Sequence, residues 1–406
     1  MYLSPMTVVR LSELLGQPGP STFLRGVVAG RRYANAYLFL GAAGVGKGTA
    51  ALAFARALLC ETRNGPKAQG GLLDAAAAAP PCDAPADDAC GLCAACQKSA
   101  QLTHPDLKFL FPVSGEEKEL EKTVPETQQA LREDPFFVFN YEKAASIRLS
   151  LTRELLRELA YRPYEAERRV VVVRDADRMR EDQYSALLKS IEEPGASTVW
   201  VLTTARASRL PATILSRCQR VRFAPLPEKT IRQFLEERVG VANREARLLA
   251  ALSGGSLARA LTLRDGAPLK ERNQALALLE PALRGDPAAL WKAVQGMTNF
   301  GRAGREMLRR MVEFHQLWLR DLLRARYGAR REELVNRDRE TEIRRQAERT
   351  EPAEIRRRLL VLEEMLRAIE GNVTPELAMF SALLRLSGER FGGDAWPPHP
   401  TARWDY

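Results

Sequence analysis

Short apolar runs alternate with longer stretches of mixed polarity over the first half of the chain. Ala36–Leu40, Leu107–Phe111, Val170–Val173, Val199–Thr203 and Val221–Phe223 are rich in β-branched and aromatic residues, which predicts buried strands. The segments between them are long enough for helical crossovers, so the expectation to about Pro227 is an α/β domain with a mostly parallel sheet. From Glu228 the pattern turns helical. Lys229–Val239 and Ala242–Leu252 predict a short helical pair stopped by Ser253-Gly254-Gly255. After Gly266 the sequence is helical to about Arg390, with breaks at Gly285-Asp286-Pro287, Gly301, Gly328 and Gly371-Asn372.

Two stretches interrupt the first rhythm. Residues 61–89 hold the alanine run Ala75–Ala79 and a cluster of prolines, and read as a surface insertion. Residues 114–143, rich in Glu, Lys and Gln, read as a second. The tail, 391–406, with three prolines and two tryptophans, is expected to be irregular.

Composition changes this picture little. A chain of 406 residues that is 45% apolar has material for two to four domains. No run approaches the ~20 apolar residues of a membrane span, and the N-terminus lacks a leader pattern. The expectation is a soluble, cytoplasmic protein with no membrane partner. The net charge of +10 permits an anionic partner, but from Arg320 to Arg358 arginines alternate with glutamates, as on solvated helix faces.

The chemistry begins at Gly41-Ala42-Ala43-Gly44-Val45-Gly46-Lys47, between a predicted strand and the helix Gly48–Leu59. Gly41, Gly44 and Gly46, with Val45, can turn backbone N–H groups toward phosphate oxygens, and Lys47 can reach the β/γ oxygens. A hydroxyl that coordinates Mg²⁺ belongs next, but the residue is Gly48. Thr49 supplies a hydroxyl one step along, turned by roughly 100°. At the end of the valine run, Asp175 is the candidate to hold Mg²⁺ through water. Ala176 stands where a water-orienting Glu would be, and Asp177 is expected to point elsewhere. A glycine-rich turn that holds nothing, and a strand-end cap at Asp175, are the plainer alternatives. Whether this site holds ATP is left open.

Six cysteines are present, and Cys60 with Cys90-x2-Cys93-x2-Cys96 suits four-thiolate zinc. Cys82 is a rival ligand. An iron–sulfur site is the alternative metal reading, although no Cys-Pro follows. His104 is needed only if a thiolate is missing, and His315 and His399 are too scattered to form a cluster with it.

Two longer motifs then carry a resemblance. Leu187-Leu188-Lys189-Ser190-Ile191-Glu192-Glu193-Pro194 and Leu210-Pro211-Ala212-Thr213-Ile214-Leu215-Ser216-Arg217-Cys218-Gln219 look like signatures of bacterial clamp-loader subunits. Gly16-Gln17, Ala36-Tyr37-Leu38-Phe39 and the cysteine set match as well, although the gap after the first Cys is usually shorter there. The resemblance covers most of residues 10–265, and Gly371-Asn372-Val373-Thr374-Pro375-Glu376-Leu377 looks like the family's last collar helix.

The resemblance implies an α/β AAA+ P-loop core with a zinc module (60–96) over residues 1–227. It implies a small helical lid over 228–267 and an all-α collar over 268–390. It makes Arg217, between Ser216 and Cys218, an arginine finger for the ATP site of the next subunit. Cys218 is expected to pack beside it. ATP-hydrolysing γ/τ members carry Gly-Ser-x-Arg-Asp-Ala-Leu in the lid, whose Arg contacts ATP. Here Gly255-Ser256-Leu257-Ala258-Arg259-Ala260-Leu261 puts Ala258 in its place. Gly48, Ala176 and Ala258 together match the non-hydrolysing δ′ type, not an enzyme by itself. Its implied partners are γ/τ and δ subunits in a hetero-pentamer that loads the sliding clamp on primed DNA in the DNA polymerase III holoenzyme. A γ/τ-type ATPase motor is the alternative. A zinc-dependent DNA-binding protein is a third reading, weakened because the positive charge forms no recognition motif.

Overall fold

The computed structural model describes residues 9–64, 86–113, 120–134, 137, 139, 145–180, 183–184, 187, 190–191, 197–265, 268–277, 286–298, 301–370 and 375–386. Cys82, most of the first insertion, parts of the second, Leu188, Lys189, Glu192–Pro194, Gly371–Thr374 and the tail lie outside the described residues. Two compact units divide between Leu263 and Arg264.

In the first unit, strands β1 (Ala36–Leu40), β2 (Leu107–Leu110), β3 (Arg169–Val173), β4 (Thr198–Thr204) and β5 (Gln219–Arg222) form one sheet in the order β2-β3-β4-β1-β5. Every pairing is parallel. Successive side chains alternate between faces, and both faces are covered. Tyr37, Phe39, Val170, Val172, Val199 and Val201 pack toward the helices α1 (Pro18–Gly30) and α2 (Lys47–Leu59). Ala36, Leu38, Val171, Val173, Trp200 and Leu202 pack on the other side with Leu155 and Ile214. A strand covered on both faces needs apolar residues at odd and even positions alike, which is why β1, β3 and β4 read as near-unbroken runs, while edge strand β5 buries only Val221.

The next helices are α3 (Ala94–Ala100), α4 (Leu120–Glu133), α5 (Leu149–Leu159) and α6 (Ala212–Arg217). Beyond β5 come α7 (Glu228–Glu237), α8 (Asn243–Leu252) and α9 (Leu257–Asp265). Where the sequence predicts a helical pair there are three helices, and residues 228–263 fold within the first unit. The strand order has a consequence for chemistry. Central β4 and its neighbours β3 and β1 all end at the same sheet edge, where open α/β sheets place their ligands.

The second unit is helical: α10 (Pro268–Ala277), α11 (Pro287–Thr298), α12 (Gly301–Arg326), α13 (Glu340–Arg349), α14 (Pro352–Glu370) and α15 (Pro375–Leu386). On α12, Leu308, Met311, Val312, His315, Trp318, Leu319 and Leu322 recur at three- and four-residue spacing and are buried. Arginines of the Arg320–Arg358 run pair with near neighbours, as Arg344 does with Glu340 and Arg358 with Glu354. Deeper, the Arg272 guanidinium holds Asp338 through two hydrogen bonds of 2.8 and 2.7 Å. Among the described residues no helix is long and apolar enough to cross a membrane.

His315 gives this unit an acid limit. Its Nδ1–H donates to the Met311 carbonyl (2.8 Å), and burial lowers its pKa from 6.5 to about 4. Below pH 6.5 the unfolded chain takes up a proton that the folded unit refuses until about pH 4. Stability should therefore fall through that window, by up to about 3 kcal/mol. The melting temperature of a His315→Leu variant is expected to fall less steeply between pH 6.5 and 4.5 than the wild type's. Parallel curves would show that this imidazole is not responsible.

Candidate functional site

The glycine-rich loop leaves β1 and turns into α2. Gly44 has φ +76°, and a Cβ there would strike the Ser256 side chain. Only a residue without a side chain lets the loop lie this close to the start of α9. The Gly44 carbonyl accepts from the N–H groups of Leu257 (3.0 Å) and Ala258 (3.4 Å), two donors of the first turn of α9. Gln17 closes the other side. Its Nε2 donates to the carbonyls of Val45 (3.1 Å) and Ala224 (2.7 Å).

Lys47 opens α2 and is 5% exposed. Its Nζ donates to the carbonyls of Gly41 (2.8 Å) and Ala42 (2.6 Å). Burial lowers its pKa to about 8, against the opposing field of Asp175. The structure therefore brings Lys47 against the glycine-rich loop, where its ammonium is held by two loop carbonyls.

The acidic residues sit differently from one another. Asp175 takes a left-handed conformation (φ +47°) just past β3, and its backbone N–H donates to Thr203 Oγ1 (3.0 Å) at the end of β4. Asp177 is buried, accepting from Thr204 Oγ1 (2.7 Å) and Arg206 Nε (3.0 Å), so its carboxylate ties β4 to the turn after β3. Ala176 is fully buried. The residue that sequence reasoning missed is Arg174, the first after the valine run. A Cβ at position 48 would lie 3.0 Å from Arg174 Nη1. The signal was a charged residue directly at the exit of an apolar strand.

Arg217 ends α6 and is exposed. Its Nη1 donates to the Thr213 carbonyl (3.1 Å) and Ser216 Oγ (3.4 Å) of its own helix. Cys218 is buried in the core, and burial pushes its thiol up to about 11. A thiol held protonated in this way is a packing residue.

The four cysteines meet. Cys60 caps the end of α2, Cys90 follows a buried Asp88, and Cys93 caps the start of α3, which carries Cys96. All four sulfurs lie within 4.8 Å of one another and are buried, a group that could hold a metal ion. Cys60–Cys93 and Cys90–Cys96 sulfur separations are both 3.9 Å. Metal–sulfur bonds of ~2.3 Å in a tetrahedron give an edge of about 3.8 Å, so the donor set fits. Backbone N–H groups of Leu92 (3.4 Å) and Cys93 (3.2 Å) point at the Cys90 sulfur, as they would at a thiolate. Asp88 accepts from Leu11 N–H (3.0 Å) and Ser12 N–H (2.8 Å), anchoring the cluster to the start of the unit. His104 stands apart from the four sulfurs in role, its Nδ1 accepting from Asp106 N–H (3.0 Å).

Comparison with known proteins gives consistent matches. The family described as DNA polymerase III, delta subunit matches residues 65–227. DNA polymerase III subunit delta' of Pseudomonas aeruginosa is 31% identical over 263 residues, 64% of this chain and 64% of that relative. DNA polymerase III subunit tau of Salmonella typhimurium is 28% identical over 261 residues, 63% of this chain and 33% of that relative. The chain thus spans about a third of the tau relative and somewhat under two thirds of the delta' relative. A Thermotoga maritima structure titled as a DNA polymerase III gamma subunit-related protein has 16% identity and a TM-score of 0.41, covering 91% of this chain and 98% of that one.

Proposed function

We propose that this chain, which belongs to the DNA polymerase III clamp-loader subunits related to delta' and tau, is the δ′-type member that does not hydrolyse ATP itself. In this reading residues 1–227 are an AAA+ core, 228–267 its lid and 268–390 a collar for assembly with γ/τ and δ subunits. The assembled loader opens a sliding clamp and places it on primed DNA. Zinc in the Cys60, Cys90, Cys93 and Cys96 cluster would be structural, a closed four-sulfur site with no position for substrate. Arg217 serves a neighbour's ATP.

The observation that carries the reading is Ala258. Its N–H is 3.4 Å from the carbonyl of Gly44, so position 258 lies against the phosphate loop. In γ/τ relatives an Arg at this motif position contacts ATP, and a methyl group cannot. Gly48 and Ala176 agree, lacking the groups that would ligate Mg²⁺ and orient water.

The isolated chain is accordingly expected to show negligible ATPase activity, with or without primed DNA. A steady-state assay decides it. Turnover that matches a γ/τ subunit and disappears in Lys47→Ala would make the chain a motor.

A further inference from the structure

A guanidinium lies beside Gly48, the position where other phosphate loops carry the hydroxyl that ligates their metal ion. Arg174 leaves β3 with its backbone N–H donating to the Leu110 carbonyl (2.8 Å). Its side chain crosses to Gly48, where a Cβ would meet Nη1 at 3.0 Å and Cζ at 3.4 Å. A threonine at 48, the residue a magnesium site needs, would press on this group and push the guanidinium aside by a few tenths of an ångström. The missing side chain and the arginine are therefore one arrangement, each making room for the other.

The guanidinium is held in place. It stacks on the Phe139 ring, 3.8 Å from the centroid, and Phe139 leans edge-on against Phe111 (5.6 Å between centroids). Phe111 in turn contacts Phe109 of β2 (5.3 Å). Arg174 Nε lies 3.6 Å from Asp175 Oδ2. The charged groups acting on Lys47 are Arg174, Asp175 and Asp177, and Asp177 is paired with Arg206. Three cations, Lys47, Arg174 and Arg206, then stand against the carboxylates of Asp175 and Asp177, which leaves positive charge in surplus. A guanidinium has donors only and cannot ligate a cation, while its planar fork matches phosphate oxygens.

We propose that the loop binds a diphosphate group without a divalent cation, Arg174 supplying the charge that Mg²⁺ brings to other phosphate loops. The proposal rests on residues 41–47 being a phosphate loop and goes beyond the assignment of this chain as a non-hydrolysing subunit. Lys47 exchanges its two loop carbonyls for phosphate oxygens, and Arg174 adds charge-assisted hydrogen bonds from the β3 side. Such a site can hold a diphosphate and has no means of activating water.

Titration calorimetry with ADP and, separately, inorganic pyrophosphate tests this on the full chain, each in excess EDTA and in excess Mg²⁺. The wild type is expected to bind at least one of the two with the same affinity in both buffers. Binding of ADP alone identifies a nucleotide, and binding of both identifies the diphosphate itself; either supports the site. Arg174→Ala should weaken binding about ten- to hundredfold, the value of one or two charged hydrogen bonds. Gly48→Ala, which leaves Arg174 present but crowded, should weaken it less, and serves if Arg174→Ala does not fold. Tenfold tighter binding on adding Mg²⁺, or unchanged affinity in a folded Arg174→Ala, overturns the metal-free site while leaving the phosphate loop standing. No binding of either ligand by the wild type overturns both.

Discussion

Replacing Arg217 with Ala is expected to leave this chain folded and able to assemble, yet to abolish ATP turnover at one site of a reconstituted clamp loader. Arg217 is exposed, and its helix is held by the fully buried Ile214, so the substitution removes no core contact. Stability should change by no more than about 0.5 kcal/mol. The effect on chemistry is of another order. An arginine finger stabilises charge on the transferring phosphoryl group and is worth roughly 10³–10⁵ in rate at the site it enters. That charge develops in the transition state, so ATP affinity should suffer less than turnover. Nη1 donates to two neutral acceptors of its own helix, the Thr213 carbonyl (3.1 Å) and Ser216 Oγ (3.4 Å), which a charged phosphate oxygen can displace. Lys should rescue poorly, because an ammonium lacks the planar fork. Only the interface that receives Arg217 should be damaged, and a loader with several active sites should keep the remainder. The readout is DNA- and clamp-stimulated ATPase of loader carrying Arg, Ala or Lys at 217. Unchanged turnover in a properly assembled Ala complex would leave Arg217 a surface residue with no catalytic partner.

The other large effect belongs to the cysteines. Purified chain should carry one equivalent of zinc, and Cys93→Ser should lose it. Serine nearly conserves volume, so the packing cost is small, and what disappears is the metal. For small zinc domains the binding free energy is folding free energy, apparently ~10–16 kcal/mol. Even a fraction of that rivals the ~5–15 kcal/mol that stabilises a whole domain. The first unit should melt at markedly lower temperature, because Asp88 and Arg10 link the cluster to the N-terminal segment. Elemental analysis and thermal melts check both halves. Iron, or no metal in protein never exposed to chelator, would contradict the assignment. Cys60→Ser should also lose the zinc and Cys82→Ser should keep it. The reverse result would keep the site and change one ligand.

Much of this was legible because the physics is local. A strand covered on both faces must be apolar throughout, and β1, β3 and β4 were located to within a residue as runs of that kind, whereas edge strand β5 buries only Val221 and begins two residues before the run Val221–Phe223. The triplet Cys90, Cys93, Cys96 announces itself by spacing. Cys60 is thirty positions away, and its membership depended on its place at the end of a helix. Arg174 could not be read from pattern. Where its side chain goes depends on the left-handed turn at Asp175, adopted by a residue that is not glycine, and on Phe139, which comes from the second insertion. Helix α9 was hidden for a simpler reason. It runs for nine residues directly after the Gly254-Gly255 stop, too short for periodicity to stand out. The contact between Gly44 and Ala258 joins residues more than two hundred positions apart, which no window can see.

The meeting of Cys60 with Cys90 bears on how the length of this chain can vary. The backbone N–H of Cys90 lies 3.4 Å from the Cys60 sulfur, so the segment between them leaves and returns at one point. For a loop whose ends are already tied together, doubling the number of residues costs only about 0.6 kcal/mol of closure entropy. Chain length between these two cysteines therefore carries little entropic cost once the ends have met. The meeting of Cys60 and Cys90 thus fixes the two ends of the gap, whatever number of residues it spans.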